Sequence, residues 1–151
     1  MTWELDITLK NRAILRDFIE RFSLEELNKV PEGFSNNMIW NIAHVIVTQQ
    51  LLVYKLSGLP ANVSEELIAE FRKGTKTERD LSQTEVDEIK ELLFSTVEKL
   101  KEDYANGLFK DYTPYTVSTK STLTNADEAI VFNNFHEGIH LGYILALKKM
   151  I

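Results

Sequence analysis

His136-Glu137-Gly138-Ile139-His140 places two of the chain's three histidines one helical turn apart, in a segment whose apolar periodicity reads as helix. At that spacing the Cβ atoms lie about 5 to 6 Å apart on one face, and both rings could reach one ion at roughly the 2.0 to 2.1 Å of a zinc–nitrogen bond. Two protein ligands hold a divalent ion poorly. The remaining histidine, His44, lies in the other strongly apolar stretch, from which a neighbouring helix could supply it. Three neutral imidazoles with an open position make a catalytic rather than a structural arrangement. The competing reading is a pair of hydrogen-bonded core residues at a chance spacing.

The same string matches H-E-x-x-H, in which a helical glutamate is the general base beside two zinc ligands. A protease signature is excluded: residues 141–151 contain no His, Asp or Glu, and Gly142 follows the second histidine by two positions rather than three. Glu137 keeps two readings, a base or supporting partner for a metal-bound water, and a solvated helix charge. The supporting or solvated role is favoured, because position i+1 is rotated about 100° from His136.

The elements that would position these residues fit one domain spanning residues 1–151, long enough to bury roughly 70% of the surface of its unfolded chain. With no cysteine there is no disulfide, thiolate ligand or cysteine nucleophile, so a metal must be held by nitrogen and oxygen. The first six residues have neither a basic nor an apolar run, and no stretch approaches the roughly 18 apolar residues of a membrane span. A cytoplasmic protein without a membrane partner is expected. A net charge of −6, from 17 basic and 23 acidic residues, opposes docking on phosphate backbones, so nucleic acid is not an expected partner.

Four long helical patterns account for most of the chain. The first covers 6–22, with Leu9, Ala13, Ile14, Phe18 and Phe22 near helical spacing. Ser23-Leu24-Glu25-Glu26 has the form of a capping box opening a short turn that ends near Val30-Pro31. The second starts near 35–37 and runs to 57, stopped by Gly58 and Pro60. It is apolar nearly all round, from Ile39 and Trp40 to Leu52 and Leu56, and is expected to be buried by its own bundle or by a partner subunit. The His44 stripe also carries Asn37, Asn41, Thr48 and Leu51, polar neighbours that orient an imidazole, bind substrate or satisfy one another. A short helix over 64–73 ends at Gly74. The capping box Ser82-Gln83-Thr84-Glu85 then opens the third long helix, with Val86, Ile89, Leu92, Leu93, Val97 and Leu100 on one face and Gly107 as its stop. Its charges, Glu88, Lys90, Glu91, Glu98, Lys99 and Lys101, read as a solvated face.

Residues 108–123 read as a loop, a rim or lid in which Tyr112, Tyr115, Ser118, Thr119 and Lys120 could line a pocket mouth, or a surface connection, the commoner case. The fourth helix begins near Thr124-Asn125, with Asp127 and Glu128 in its first turn, and runs to 148–149. Its histidine stripe is Ala129, Phe132, Asn133, His136, His140, Tyr143 and Leu147. Apolar neighbours direct the histidines inward, where bare imidazoles need partners that a metal provides.

Ile39-Trp40-Asn41-Ile42-Ala43-His44 and His136-Glu137-Gly138-Ile139-His140-Leu141-Gly142 resemble the DinB-like metalloprotein superfamily across essentially the whole chain. The resemblance implies an all-α four-helix bundle with an up-down-down-up course, a long crossover between helices 2 and 3, and often a homodimer. Carried onto this sequence, it makes His44, His136 and His140 the ligands of a divalent ion, commonly zinc or nickel. Where many relatives have Gln after His-x-Gly, this chain has Tyr143, a departure expected to reshape or narrow the pocket. Some members transfer low-molecular-weight thiols such as bacillithiol or mycothiol, and others are an isomerase or presumed hydrolases.

The leading functional expectation is therefore metal-dependent transfer of a low-molecular-weight thiol to a small electrophile. The thiol comes from a cosubstrate because the chain has none, and Glu137, Asn41, Thr48 or Tyr143 orients the partners. The alternatives are a metal-dependent hydrolase of a small molecule, in which Glu137 matters more, and a non-catalytic metal- or ligand-binding homodimer whose long second helix serves association.

Overall fold

Every α-helix after the first begins on a short polar side chain that accepts a hydrogen bond from a backbone amide of its first turn. In the computed structural model, which describes residues 1–151, α1 is Thr2–Arg21 and the short α2 is Leu24–Asn28, opened by the reciprocal capping box of Ser23 and Glu26. Asn37 caps α3 (Met38–Gln49) by accepting from the Trp40 amide. The same rod continues through a π-helical turn, Gln50–Tyr54, and a 3-10 turn, Lys55–Ser57, ending at Gly58 in the left-handed region with φ 72°. Ser64 caps α4 (Glu65–Phe71), the Ser82–Glu85 capping box opens α5 (Gln83–Ala105), and Asn125 caps α6 (Ala126–Leu147). The only strands are β1 (Tyr115–Thr116) and β2 (Thr122–Leu123), an antiparallel pair inside the segment read as loop. The fold is all-α, and no helix is long and apolar enough to cross a membrane.

α1 packs on α5 and α6, and α3 packs on the same two helices from the other side. Hydrogen bonds from Thr8 to Asn134 and from Arg12 to Glu137 align α1 with α6. Arg12 to Leu93, with Lys90 to Glu20, sets α5 against α1 in the opposite sense. The Asn41–His140 bond and the His44–His136 ring contact likewise run α3 against α6. Every residue from Met38 to Val47 is buried. Helices α2, α4, α5 and α6 together cover that stretch, so its apolar girth is accounted for within one chain. The surplus apolar surface lies instead on α6, where Val131, Phe135, Ile139 and Leu145 are exposed.

α1 differs from its expected form. It starts four residues earlier, where the terminal amine pairs with Glu4 at 2.7 Å, and its interior face is Leu5, Thr8, Arg12, Leu15, Phe18 and Ile19, while Ile14 is exposed. The cause is Arg12, whose side chain is completely buried. Its Nε and Nη2 donate to Glu137 Oε1 at 3.0 and 2.8 Å, and Nη1 donates to the Leu93 carbonyl at 3.3 Å and Thr96 Oγ1 at 3.4 Å. Asn133 adds a third donor to the same carboxylate oxygen at 2.8 Å. Leaving either buried charge alone costs about 3 to 5 kcal/mol, whereas removing both costs far less. In urea denaturation, Arg12→Met and Glu137→Leu are each expected to lose stability of that order, and the double variant to lose clearly less than their sum.

Candidate metal centre

His44 leaves α3 one turn beyond Trp40, and His136 and His140 leave α6 one turn apart. The antiparallel crossing of the two helices brings all three rings together. Ring centroids are 5.1 Å apart for His44–His136, 4.6 Å for His44–His140 and 4.5 Å for His136–His140. One nitrogen from each lies within 4.8 Å of the others, and no carboxylate joins the group. His140 Nε2 and His136 Nε2 stand 3.1 Å apart, close to the roughly 3.3 Å that separates two imidazole nitrogens on one tetrahedral ion.

Two rings have their tautomers set by their other nitrogen. His44 Nδ1 donates to the Phe71 carbonyl at 2.6 Å, and His140 Nδ1 donates to Asn41 Oδ1 at 2.8 Å. The Asn41 amide is itself oriented, since its Nδ2 donates to the Asn37 carbonyl at 2.8 Å. Both histidines consequently present an unprotonated Nε2, the form a metal requires, with the outer hydrogen bonds that ligating histidines use. His136 Nδ1 is buried without a partner, so no outer hydrogen bond sets the tautomer of that ring. This donor set fits a divalent ion of the kind imidazole binds. Trp40 stacks on His44 at 4.7 Å and 11°, holding its plane.

Burial keeps these rings neutral. Desolvation, then the neighbouring His140 and His44 rings and the Arg12 guanidinium, hold His136 down to about 3. Desolvation and then His44 bring His140 to about 4, and burial lowers His44 against the opposing pull of the Phe71 carbonyl.

A cavity of about 480 Å³ opens onto the cluster. All three histidines line it, with Thr48, Leu51, Leu52, Lys55 and Leu56 from the α3 rod, Phe132, Phe135 and Ile139 from α6, Lys73 after α4, and Tyr115, Val117, Ser118 and Thr119 from the hairpin. The π turn falls in this wall, a distortion often found at functional sites. Of the residues read as a rim, Tyr115, Ser118 and Thr119 border the cavity, whereas Lys120 does not and Tyr112 donates to the Leu52 carbonyl.

Three of the residues read as site candidates lie outside the cavity wall. Glu137 is neither solvated nor beside the histidines: the 100° step that separates it from His136 turns it into the core, where Arg12 and Asn133 occupy its carboxylate. Asn41, read as orienting an imidazole, binding substrate or satisfying a polar neighbour, is buried and accepts from His140 Nδ1, which is the first of these. Tyr143, expected to reshape the pocket, turns its ring edge-on to Phe34 at 5.5 Å, outside the cavity. Thr48 does face the cavity, its Oγ1 3.3 Å from His44 Nε2. Arg12, Trp40 and Lys73 were overlooked as contributors. A lone arginine on the Leu5, Thr8, Leu15 stripe was the available signal for the first, and Trp40 at i−4 from His44 for the second. Lys73 carried no local signal.

The family model of the DinB superfamily, a metal-binding family, matches residues 8–144, from the first turns of α1 to within three residues of the end of α6. No curated protein matches the chain.

A histidine neutral in the fold and protonated when unfolded contributes stability fully present above about pH 6.5 and lost as pH falls toward its folded value. Metal-stripped protein is therefore expected to hold a constant urea midpoint above about pH 7. Below about pH 6.5 it should lose roughly 1.4 kcal/mol per pH unit for each such imidazole, continuing toward pH 4. His136→Asn is expected to flatten that slope, read as unfolding free energy against pH.

Proposed function

The chain belongs to the DinB superfamily, and on that footing we propose that it is a divalent-metal-dependent enzyme that transfers a low-molecular-weight thiol to a small electrophile. His44, His136 and His140 hold the ion, and zinc or nickel suits an all-imidazole donor set. The observation that carries the reading is the open cavity on an otherwise unclosed three-nitrogen cluster. A structural zinc is closed by a fourth protein ligand, and no carboxylate or thiolate stands near enough to close this one. The cavity volume lies within the range of small-molecule sites. When bound, the ion supplies Lewis acidity that favours the thiolate over the thiol near neutral pH.

The chain's own residues do the rest. Leu52, Phe132 and Ile139 exclude water from the reacting atoms, and Thr48 offers the one hydroxyl within hydrogen-bond reach of the cluster. In the overall reaction a sulfur–carbon bond forms, the leaving group departs with the bonding pair, and the thiol proton passes to it or to buffer. Hydrolysis is the less favoured alternative, because the carboxylate it would use as base is held by Arg12. A cytoplasmic setting, where such thiols are kept reduced, belongs to the same reading.

Homodimer formation is also part of the proposal. What supports it is the outward stripe of α6, in which Val131, Phe135, Ile139 and Leu145 recur at helical spacing and remain exposed.

Metal content by mass spectrometry on protein purified without a histidine tag is expected to approach one ion per chain, and to be lost in both His44→Ala and His140→Ala. Metal-loaded protein should accelerate conjugation of a small thiol to chlorodinitrobenzene, and Thr48→Val should slow it; absence of metal after reconstitution would sink the reading. By analytical ultracentrifugation the wild type is expected to sediment as a dimer, and Val131→Glu combined with Leu145→Glu as a monomer.

A further inference from the structure

The lining of the histidine cavity departs from the charge balance of the chain. Acidic residues outnumber basic ones, 23 to 17, yet the cavity wall contains Lys55 and Lys73 and no Asp or Glu. The two lysines are not equivalent. Lys55 is paired with Glu65 at 2.6 Å. Lys73 donates to Ser118 Oγ at 2.9 Å and forms no ion pair, so its charge is uncompensated at the cavity mouth.

Its position in the chain ties it to the metal centre. Phe71 gives its carbonyl to His44 Nδ1, and Lys73 follows only two residues later, a backbone span of at most about 7 Å. A ligand with one end at the imidazoles and the other at the Lys73 ammonium therefore stays within one cavity. Between those ends it meets Leu52, Leu56 and Phe132, which accept hydrocarbon and offer no hydrogen bond.

We infer that the small molecule bound in this cavity carries an anionic group, a carboxylate or its equivalent, seated on Lys73 with Ser118 beside it, at the opposite end from the group that reaches the histidines. The inference rests on the proposed metal-dependent thiol chemistry only for the identity of the second end. Lys73 is a specificity-determining residue in this arrangement. It takes no part in bond making.

Mercaptohexanoate, mercaptohexanol and hexanoate serve as probes, each titrated by calorimetry or amide NMR into zinc-loaded and metal-stripped protein at low ionic strength. Mercaptohexanoate is expected to bind three- to fivefold more tightly than mercaptohexanol in both forms, the size of a partly exposed ion pair, and to lose that margin as salt is raised. Lys73→Met should abolish the preference without changing the affinity of the alcohol, Lys73→Arg should keep it and Lys73→Glu should invert it. Equal binding of acid and alcohol by the wild type, no saturable binding of either acid, or an equal loss for both thiols in Lys73→Met would overturn the inference. The thiol reading fails separately, if zinc does not tighten mercaptohexanoate relative to hexanoate.

Discussion

The buried Arg12–Glu137 pair governs the rest of the molecule, because it fixes how α6 is rotated about its own axis. Both side chains are fully removed from solvent. Rolling α6 by even one residue, about 100°, would strand two charges at a cost comparable to much of a domain's stability. With Glu137 locked toward Arg12 of α1, His136 and His140 have no direction left but the seam with α3. The guanidinium also acts at a distance: its charge is among the causes that keep His136 neutral. One ion pair thus orients two of the three clustered histidines and helps keep one of them neutral.

On the opposite helix the same control is exercised by hydrogen bonds rather than charge. Asn41 works at both ends, donating back to Asn37 within α3 and accepting from His140 across the seam. His44 is held by a backbone carbonyl at the end of α4, a short helix between the two middle helices of the bundle. The long connection between α3 and α5 therefore contributes to the centre directly. Shortening it to a tight turn would remove the acceptor that fixes the His44 tautomer, and with it Lys73.

Much of this was legible in the sequence. The caps at Ser23, Ser64, Ser82 and Asn125, the stop at Gly58 and the four long helices follow from local chemistry, and local chemistry is what a single sequence exposes. The three histidines were legible because their spacing and apolar surroundings left them few other uses. What escaped was rotational phase and tertiary pairing. Glu137 looked solvated because one residue of offset from a ligand stripe leads to water on a two-sided helix, whereas α6 is flanked by α1 as well as α3. The apolar girth of α3 left its own bundle and a partner subunit open, because a sequence does not show how many elements surround a helix. The Phe71 carbonyl is backbone, which no residue type announces.

The openness of the centre follows from where the polar groups around it are already committed. Asn41 is occupied by His140, Glu137 by Arg12, and Tyr143 lies against Phe34, so none of these three polar groups remains to close the cluster from within the bundle. What faces its free side is hydrocarbon from α6 and the π turn, a low-dielectric wall that strengthens any charge interaction formed beside it. Phe135 and Ile139 belong both to this lip and to the exposed stripe of α6. The apolar residues that α6 keeps at its surface are thus partly explained by the cavity itself. A change in what covers that stripe would alter the mouth through which a small molecule reaches the histidines.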